Sequence, residues 1–271
     1  MNYVSRAPLR VRHQLKLRLV QVARVEHVSP RMRRVTFTGD ELAGFTSAAA
    51  DDHVKLFLPA PGQDRPVLPI PRVNRSAYPT DAIQPAIRDY TPRRFDPQQC
   101  ELVVEFVIHG DGPASTWAAQ ATPGQWIGVG GPRGSILTPD DYDTYLLVGD
   151  ETALPAIARH LEEMRPGACA LVLIEVADCR EERHLPTAAN AAISWLHRHR
   201  MAAGTPTLLE QTLQSLVLPR GDTYAWLAGE IETVRRLRRY LTEEKGLSRD
   251  QVRAAAYWRV GDAGAHAKLD D

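Results

Sequence analysis

The sequence predicts a two-domain α+β protein: an N-terminal antiparallel β-barrel followed by an α/β domain on a parallel sheet. Three observations carry this expectation. Up to about residue 138, short alternating segments are divided by Gly, Pro and Asp, the pattern of antiparallel strands. From about residue 143, continuous apolar runs alternate with helical patterns, as expected of parallel strands buried on both faces. The 271 residues, 44% hydrophobic, suffice for two medium domains with real cores. The expected division is 1–140 and 141–271.

In the first half, 15–28 alternates, with Leu15, Leu17 and Leu19 set against Lys16 and Arg18. Further strands are expected at 31–38, 53–58, 88–94, 102–109 and 125–130. Residues 59–87 are rich in Pro and form a long loop, a feature that in compact domains tends to serve function. In the second half, strands are expected at 144–149, 168–176, 224–228 and 252–258. Residues 191–196 read as another strand, although Trp195 and its polar neighbours leave a helix open. Helices are expected at 154–164, 205–216 and 231–245, the last stopped by Gly246. Residues 261–271 read as a frayed tail.

Lys+Arg and Asp+Glu are equal at 33 each, which argues against a nucleic-acid binder. Cys100, Cys169 and Cys179 show no metal spacing and read as reduced packing residues of a cytoplasmic protein. No metal site is expected. No run reaches the ~18 apolar residues of a membrane span, so no membrane insertion is expected. The basic, acid-free stretch 1–24 has strand periodicity and no apolar signal region, and reads as an arm leading into the first strand.

The chemistry concentrates in two stretches. Arg88-Asp89-Tyr90-Thr91-Pro92-Arg93 puts an arginine, an aromatic and a hydroxyl on one extended run. His109-Gly110-Asp111-Gly112-Pro113-Ala114-Ser115-Thr116-Trp117 is a glycine-rich turn opening a helix. A guanidinium matches phosphate oxygens bidentately, and backbone N–H groups at a helix start suit a second phosphate. Tyr90 and Thr91 suit the face and edge of a flat ring. Together these residues offer what a flavin dinucleotide needs. On its own, His109 reads as a packing residue, and Trp117 as core. Gly149-Asp150-Glu151-Thr152 follows a buried strand and opens a helix, where open α/β sheets bind ligands. Asp150 or Thr152 is expected to cap that helix. The turn lacks a glycine-rich fingerprint, and its two acids repel phosphate.

R-x-Y-T-x-R at 88–93, H-x-x-x-G-P-A-x-x-W-A at 109–119, G-D-E-T-A-L-P-A at 149–156 and A-Y-W-R-V-G at 256–261 stand in one order along the chain. This ordered set resembles the siderophore-interacting proteins, FAD-containing ferric-siderophore reductases related to the ferredoxin reductases. The resemblance implies FAD as cofactor. It implies Arg88 at the FAD phosphates, Tyr90 and Thr91 at the isoalloxazine, and Gly112, Ala114 and Ser115 at the phosphate turn. His109, Asp150, Thr152 and Trp258 would border the flavin. Lys55, Arg133 and Arg259 correspond to the family's basic triad for the iron-loaded ligand. Converging cationic groups would focus an anionic ferric catecholate into a cleft.

The expected activity is reduction of siderophore-bound Fe(III) to Fe(II), with electrons from NADPH, NADH or ferredoxin. Beside it stand a general flavin or ferredoxin-type reductase with another acceptor, and a siderophore-binding carrier without redox work. The helix bearing Arg235, Arg236, Arg238 and Arg239 reads as a solvated charged face.

Overall fold

The computed structural model describes residues 8–70, 77–110, 112–205 and 207–262. Two compact units divide the chain, Arg10–Ile136 and the part from Leu137 onward. The motif residue Asp111 and nearly all of the expected tail lie outside the described residues.

The first unit is a rolled seven-stranded sheet. Its strands are β2 (Leu17–Ser29), β3 (Met32–Thr38), β4 (Val54–Leu58), β5 (Ala86–Tyr90), β6 (Pro92–Asp96), β7 (Glu101–Val107) and β8 (Trp126–Gly130). Their spatial order is β5-β4-β8-β2-β3-β7-β6, with every named pair antiparallel. A separate pair joins β1 (Leu9–Arg12) to β9 (Gly134–Leu137).

The expected single strand at 88–94 is two. Tyr90 ends one edge strand, Pro92 begins the opposite edge strand, and only Thr91 lies between them. A sheet whose outermost strands are one residue apart in sequence must curl upon itself, which is how an antiparallel sheet becomes a barrel. Pro92 suits the turning point, having no N–H to offer a ladder. Helix α1 (Pro113–Ala119) fills the interior. Its Ala114, Trp117 and Ala118 join Val35, Phe37, Leu56, Val104 and Phe106 in one core.

The second unit is a five-stranded parallel sheet in the order β12-β11-β10-β13-β14. These are β10 (Thr144–Asp150), β11 (Cys169–Val176), β12 (Asn190–His197), β13 (Thr223–Glu230) and β14 (Val252–Trp258). Residues 190–197 are therefore strand, paired along their length with β11. Every residue of β10 and β13 is buried, which explains the apolar runs 145–148 and 224–228 within them. Helix α2 (Leu154–Glu163) covers one face. Helices α3 (Leu208–Ser215) and α4 (Ile231–Arg239) cover the other, sharing a core with Leu146, Val148, Leu173 and Leu227. The expected helix at 231–245 is α only to Arg239; Tyr240–Glu244 continues as a π turn. Among the described residues, no helix is long and apolar enough to cross a membrane.

Candidate functional site

The barrel unit brings its two motif stretches together around one ring. Phe106 lies 4.4 Å from Tyr90 and 5.7 Å from Trp117, ring centre to ring centre, so the end of β5 and helix α1 share a packing partner. Trp117 also stacks on Phe37 and is a core residue. The backbone N–H of His109 donates to Ser115 Oγ at 2.8 Å, closing the turn that leads into α1. The Ser115 hydroxyl therefore serves as an internal acceptor. The first intrahelical bond runs from Thr116 N–H to Gly112 C=O, so the N–H groups of Ala114 and Ser115 precede the helical ladder. His109 itself is exposed.

Alternation sorts the charges of β4 and β5. Arg88 and Tyr90 stand opposite Leu56 and Val54, two core residues, while Asp89 stands opposite Lys55 on the other face. Lys55 Nζ lies 2.9 Å from Asp89 Oδ1, so the one acid of this stretch is neutralised away from Arg88. Arg88 is half-buried and donates to the Ile87 carbonyl at 2.8 Å. Desolvation lifts the Tyr90 phenol above its ordinary range, against the pull of the Arg88 charge, so it remains a hydrogen-bond donor at neutral pH. Thr91 is buried at the barrel corner.

These residues fit a flavin dinucleotide by their donor chemistry. A guanidinium and a protonated phenol share one face of β5, helix-start N–H groups belong to the helix that meets Tyr90 through Phe106, and Asp89 is turned to the other face.

Two of the three basic positions belong to this unit. Lys55 is in register with Gly130, and Arg133 lies three residues further, past the cis Gly131–Pro132 peptide. Arg133 is exposed. Lys55 stands on the opposite face of the strand pair from Arg88 and Tyr90. Arg259 is an exposed residue of the second unit, bridged to Asp262.

In the second unit, the carboxyl ends of the parallel strands carry a cluster that sequence reasoning found only in part. Asp150 ends β10 and is buried. Its Oδ1 accepts from both the N–H and the hydroxyl of Thr152, and its Oδ2 accepts from Trp258 Nε1 at 2.7 Å. Neither Asp150 nor Thr152 caps α2: the cap position is Ala153, without a side-chain bond, because the Asp150 carboxylate is committed to a turn before the helix. Gly149 allows α2 to approach; a Cβ there would lie 2.5 Å from Ala153 Cβ and 2.7 Å from the Ala228 oxygen. Gly229, at φ 147°, leaves room for Asp150, whose Oδ2 would lie 2.7 Å from an added Cβ.

Glu151 is bound at both oxygens by the buried Arg198, just beyond β12. Burial still holds the Glu151 carboxyl above its ordinary range. Glu230 caps α4, accepting from Glu232 N–H at 2.8 Å and Thr233 N–H at 3.0 Å. Glu175 is paired in register with Asp150 and is 4% exposed; burial and the Asp150 charge push its carboxyl up to about 7. Sequence reasoning missed Glu175, Arg198 and Glu230. The legible signal for Glu175 was a lone acid within the apolar run Leu171-Val172-Leu173-Ile174-Glu175-Val176.

The comparisons with known proteins agree with this architecture. Residues 21–136 match the siderophore-interacting FAD-binding domain, and residues 142–261 match the siderophore-interacting protein model. The chain is 37% identical to the NADPH-dependent ferric-chelate reductase of Escherichia coli (strain K12), covering 96% of this chain and 100% of that one. It is 33% identical to the ferric vibriobactin reductase ViuB of Vibrio cholerae serotype O1, over 90% of each chain. The crystal structure of a siderophore utilization protein from T. fusca superposes with a TM-score of 0.88 at 41% identity, over 94% of this chain and 97% of that one. A motif order read across nearly the whole chain, a rolled sheet leading into a parallel one, and relatives aligned end to end agree: the chain belongs to the siderophore-interacting protein family.

Proposed function

We propose that this protein is a cytoplasmic, FAD-dependent reductase of ferric siderophores, with NADPH as its electron donor. Residues 1–140 form the FAD-binding barrel domain in this reading, and residues 141–271 an NAD(P)H-binding-like domain. The observation that carries it is the meeting of Tyr90 and Trp117 of α1 around Phe106, with Arg88 on the same face of β5 as Tyr90 and the His109–Ser115 bond closing the turn into α1. Arg88 and the N–H groups of Ala114 and Ser115 hold the diphosphate. Tyr90 and Thr91 orient the ring system. Gly112 gives the turn its close approach, while His109, Asp150, Thr152 and Trp258 border the cofactor. Bound FAD supplies the conversion of a two-electron donor into single electrons for Fe(III).

Lys55, Arg133 and Arg259 receive the anionic chelate. Lys55 is held by Asp89, so the chelate competes with a carboxylate for it. Hard oxygen donors favour Fe(III), and Fe(II) is released without any protein ligand. NADPH is favoured over NADH and ferredoxin by the name of the Escherichia coli relative.

The test is a purified, yellow protein reduced anaerobically and mixed with a ferric catecholate siderophore. The expected result is flavin reoxidation with ferrous product trapped by a ferrozine-type indicator. Binding without ferrous product would mean a carrier. Indifference to the chelate, with turnover of other acceptors, would mean a general flavin reductase.

A further inference from the structure

At the carboxyl edge of the parallel sheet, Asp150, Glu175, Gly229 and Glu230 border a small cavity that Leu209 and Thr233 close from the helices. Its free volume is about 10 Å³, room for about one water. The edge lies beside β10 and β13, where the strand order reverses and open α/β sheets take their ligands.

Three of the four buried acids here have partners of their own. Asp150 accepts from Thr152 and Trp258, Glu151 is matched by Arg198, and Glu230 caps α4. Glu175 is different. It is 4% exposed, it lines the cavity, and among the described residues no hydrogen bond or ion pair reaches its carboxyl. Facing it are Asp150 and Glu151 from the turn after β10, Arg198 from beyond β12, Glu210 from α3 and Glu230 from the start of α4. Four of these five are acids, so a proton is the partner left to Glu175.

We propose that Glu175 sets the pH dependence with which an anionic dinucleotide enters this edge. With a proton on its carboxyl, the crevice tolerates phosphate; without it, an unmatched negative charge repels the ligand. Glu175 is then a specificity residue that acts by charge and touches no reacting atom. The position of its titration, about 7, puts the change within the range of ordinary media. The inference rests on the NADPH reading above.

The experiment is calorimetric titration of the FAD-loaded protein with NADP⁺ at several values between about pH 5.5 and 8.5, for wild type and Glu175→Gln. The 2′-phosphate titrates in both proteins, so the readout is the ratio of their Kd values. The wild-type Kd should match that of the variant at the acid end and be about tenfold weaker at the alkaline end, the effect of one poorly screened charge. Glu175→Asp, which keeps the carboxyl, should retain a pH-dependent Kd. A ratio that stays flat across the range overturns the proposal. So does an infrared carbonyl band of a protonated carboxylic acid, absent from Glu175→Gln, that persists in the wild type at the alkaline end. Absence of NADP⁺ binding at every pH, with FAD retained and the chelate still reduced by dithionite-treated protein, removes the NADPH reading and the proposal with it.

Discussion

The indole N–H of Trp258 donates to the Asp150 carboxylate across 2.7 Å, joining the end of the last strand to the first turn of the parallel sheet. The two residues are 108 positions apart in sequence. Trp258→Phe removes the donor and leaves a buried carboxylate short of one bond. Urea unfolding should show a loss of about 1–3 kcal/mol. Gly229→Ala attacks the same carboxylate from the other side, where a Cβ would meet Oδ2 at 2.7 Å on a backbone at φ 147°. Its loss should be of similar size, about 1–3 kcal/mol.

Glu151 and Arg198 are both buried, so each depends on the other. Arg198→Met should destabilise by about 3–5 kcal/mol, because an uncompensated carboxylate remains inside. Adding Glu151→Met should recover most of the loss. A double-mutant cycle by thermal unfolding measures the coupling directly.

Glu175 should make stability fall with rising pH. Its carboxyl titrates near 4.5 in the unfolded reference and is pushed up to about 7 in the fold. The folded chain therefore holds the proton more tightly. Below the lower value both states are protonated and there is no penalty. Between the two values the penalty grows, and above the upper one it is complete, at about 3 kcal/mol. Glu175→Gln should flatten this slope and be the more stable protein in mildly alkaline urea melts.

Lys55 and Asp89 make a partly exposed pair whose contribution to stability is small. Asp89→Asn should leave the melting curve nearly unchanged. It should tighten binding of an anionic ferric chelate several-fold, since Lys55 no longer has an internal competitor. Lys55→Ala should weaken the same binding. Tryptophan-fluorescence quenching measures both.

Much of the architecture was legible because it rests on strong local patterns. The apolar run at 144–149 announced a strand buried on both faces, and all of β10 is buried. The alternation of Leu17, Leu19 and their basic neighbours announced β2. What escaped depends on distant partners. Leu9–Arg12 is a strand because β9 lies beside it, and four residues carry too little periodicity to declare that. The break at Thr91 was hidden because both halves are extended; only the pairing of β5 with β4 and β6 with β7 separates them. Within the site, Arg88, Tyr90 and the 109–115 turn were visible as residue types. The Ser115 hydroxyl, by contrast, is occupied by the chain itself, and the charge cluster at 150, 151, 175, 198 and 230 exists only once four segments are folded together.

The corner at Thr91 ties recognition to architecture. Closing a barrel usually means bringing distant parts of a chain together, with an entropic cost that grows with the length between them. Here the two outermost strands are covalent neighbours, so that cost is close to its minimum. The same few residues that would grip a dinucleotide are also the hinge pin of the barrel. A ligand held by Arg88 and Tyr90 would grip one margin of the sheet a single residue from where the other begins, and extra residues spliced in at this corner would slacken the enclosure beside that grip.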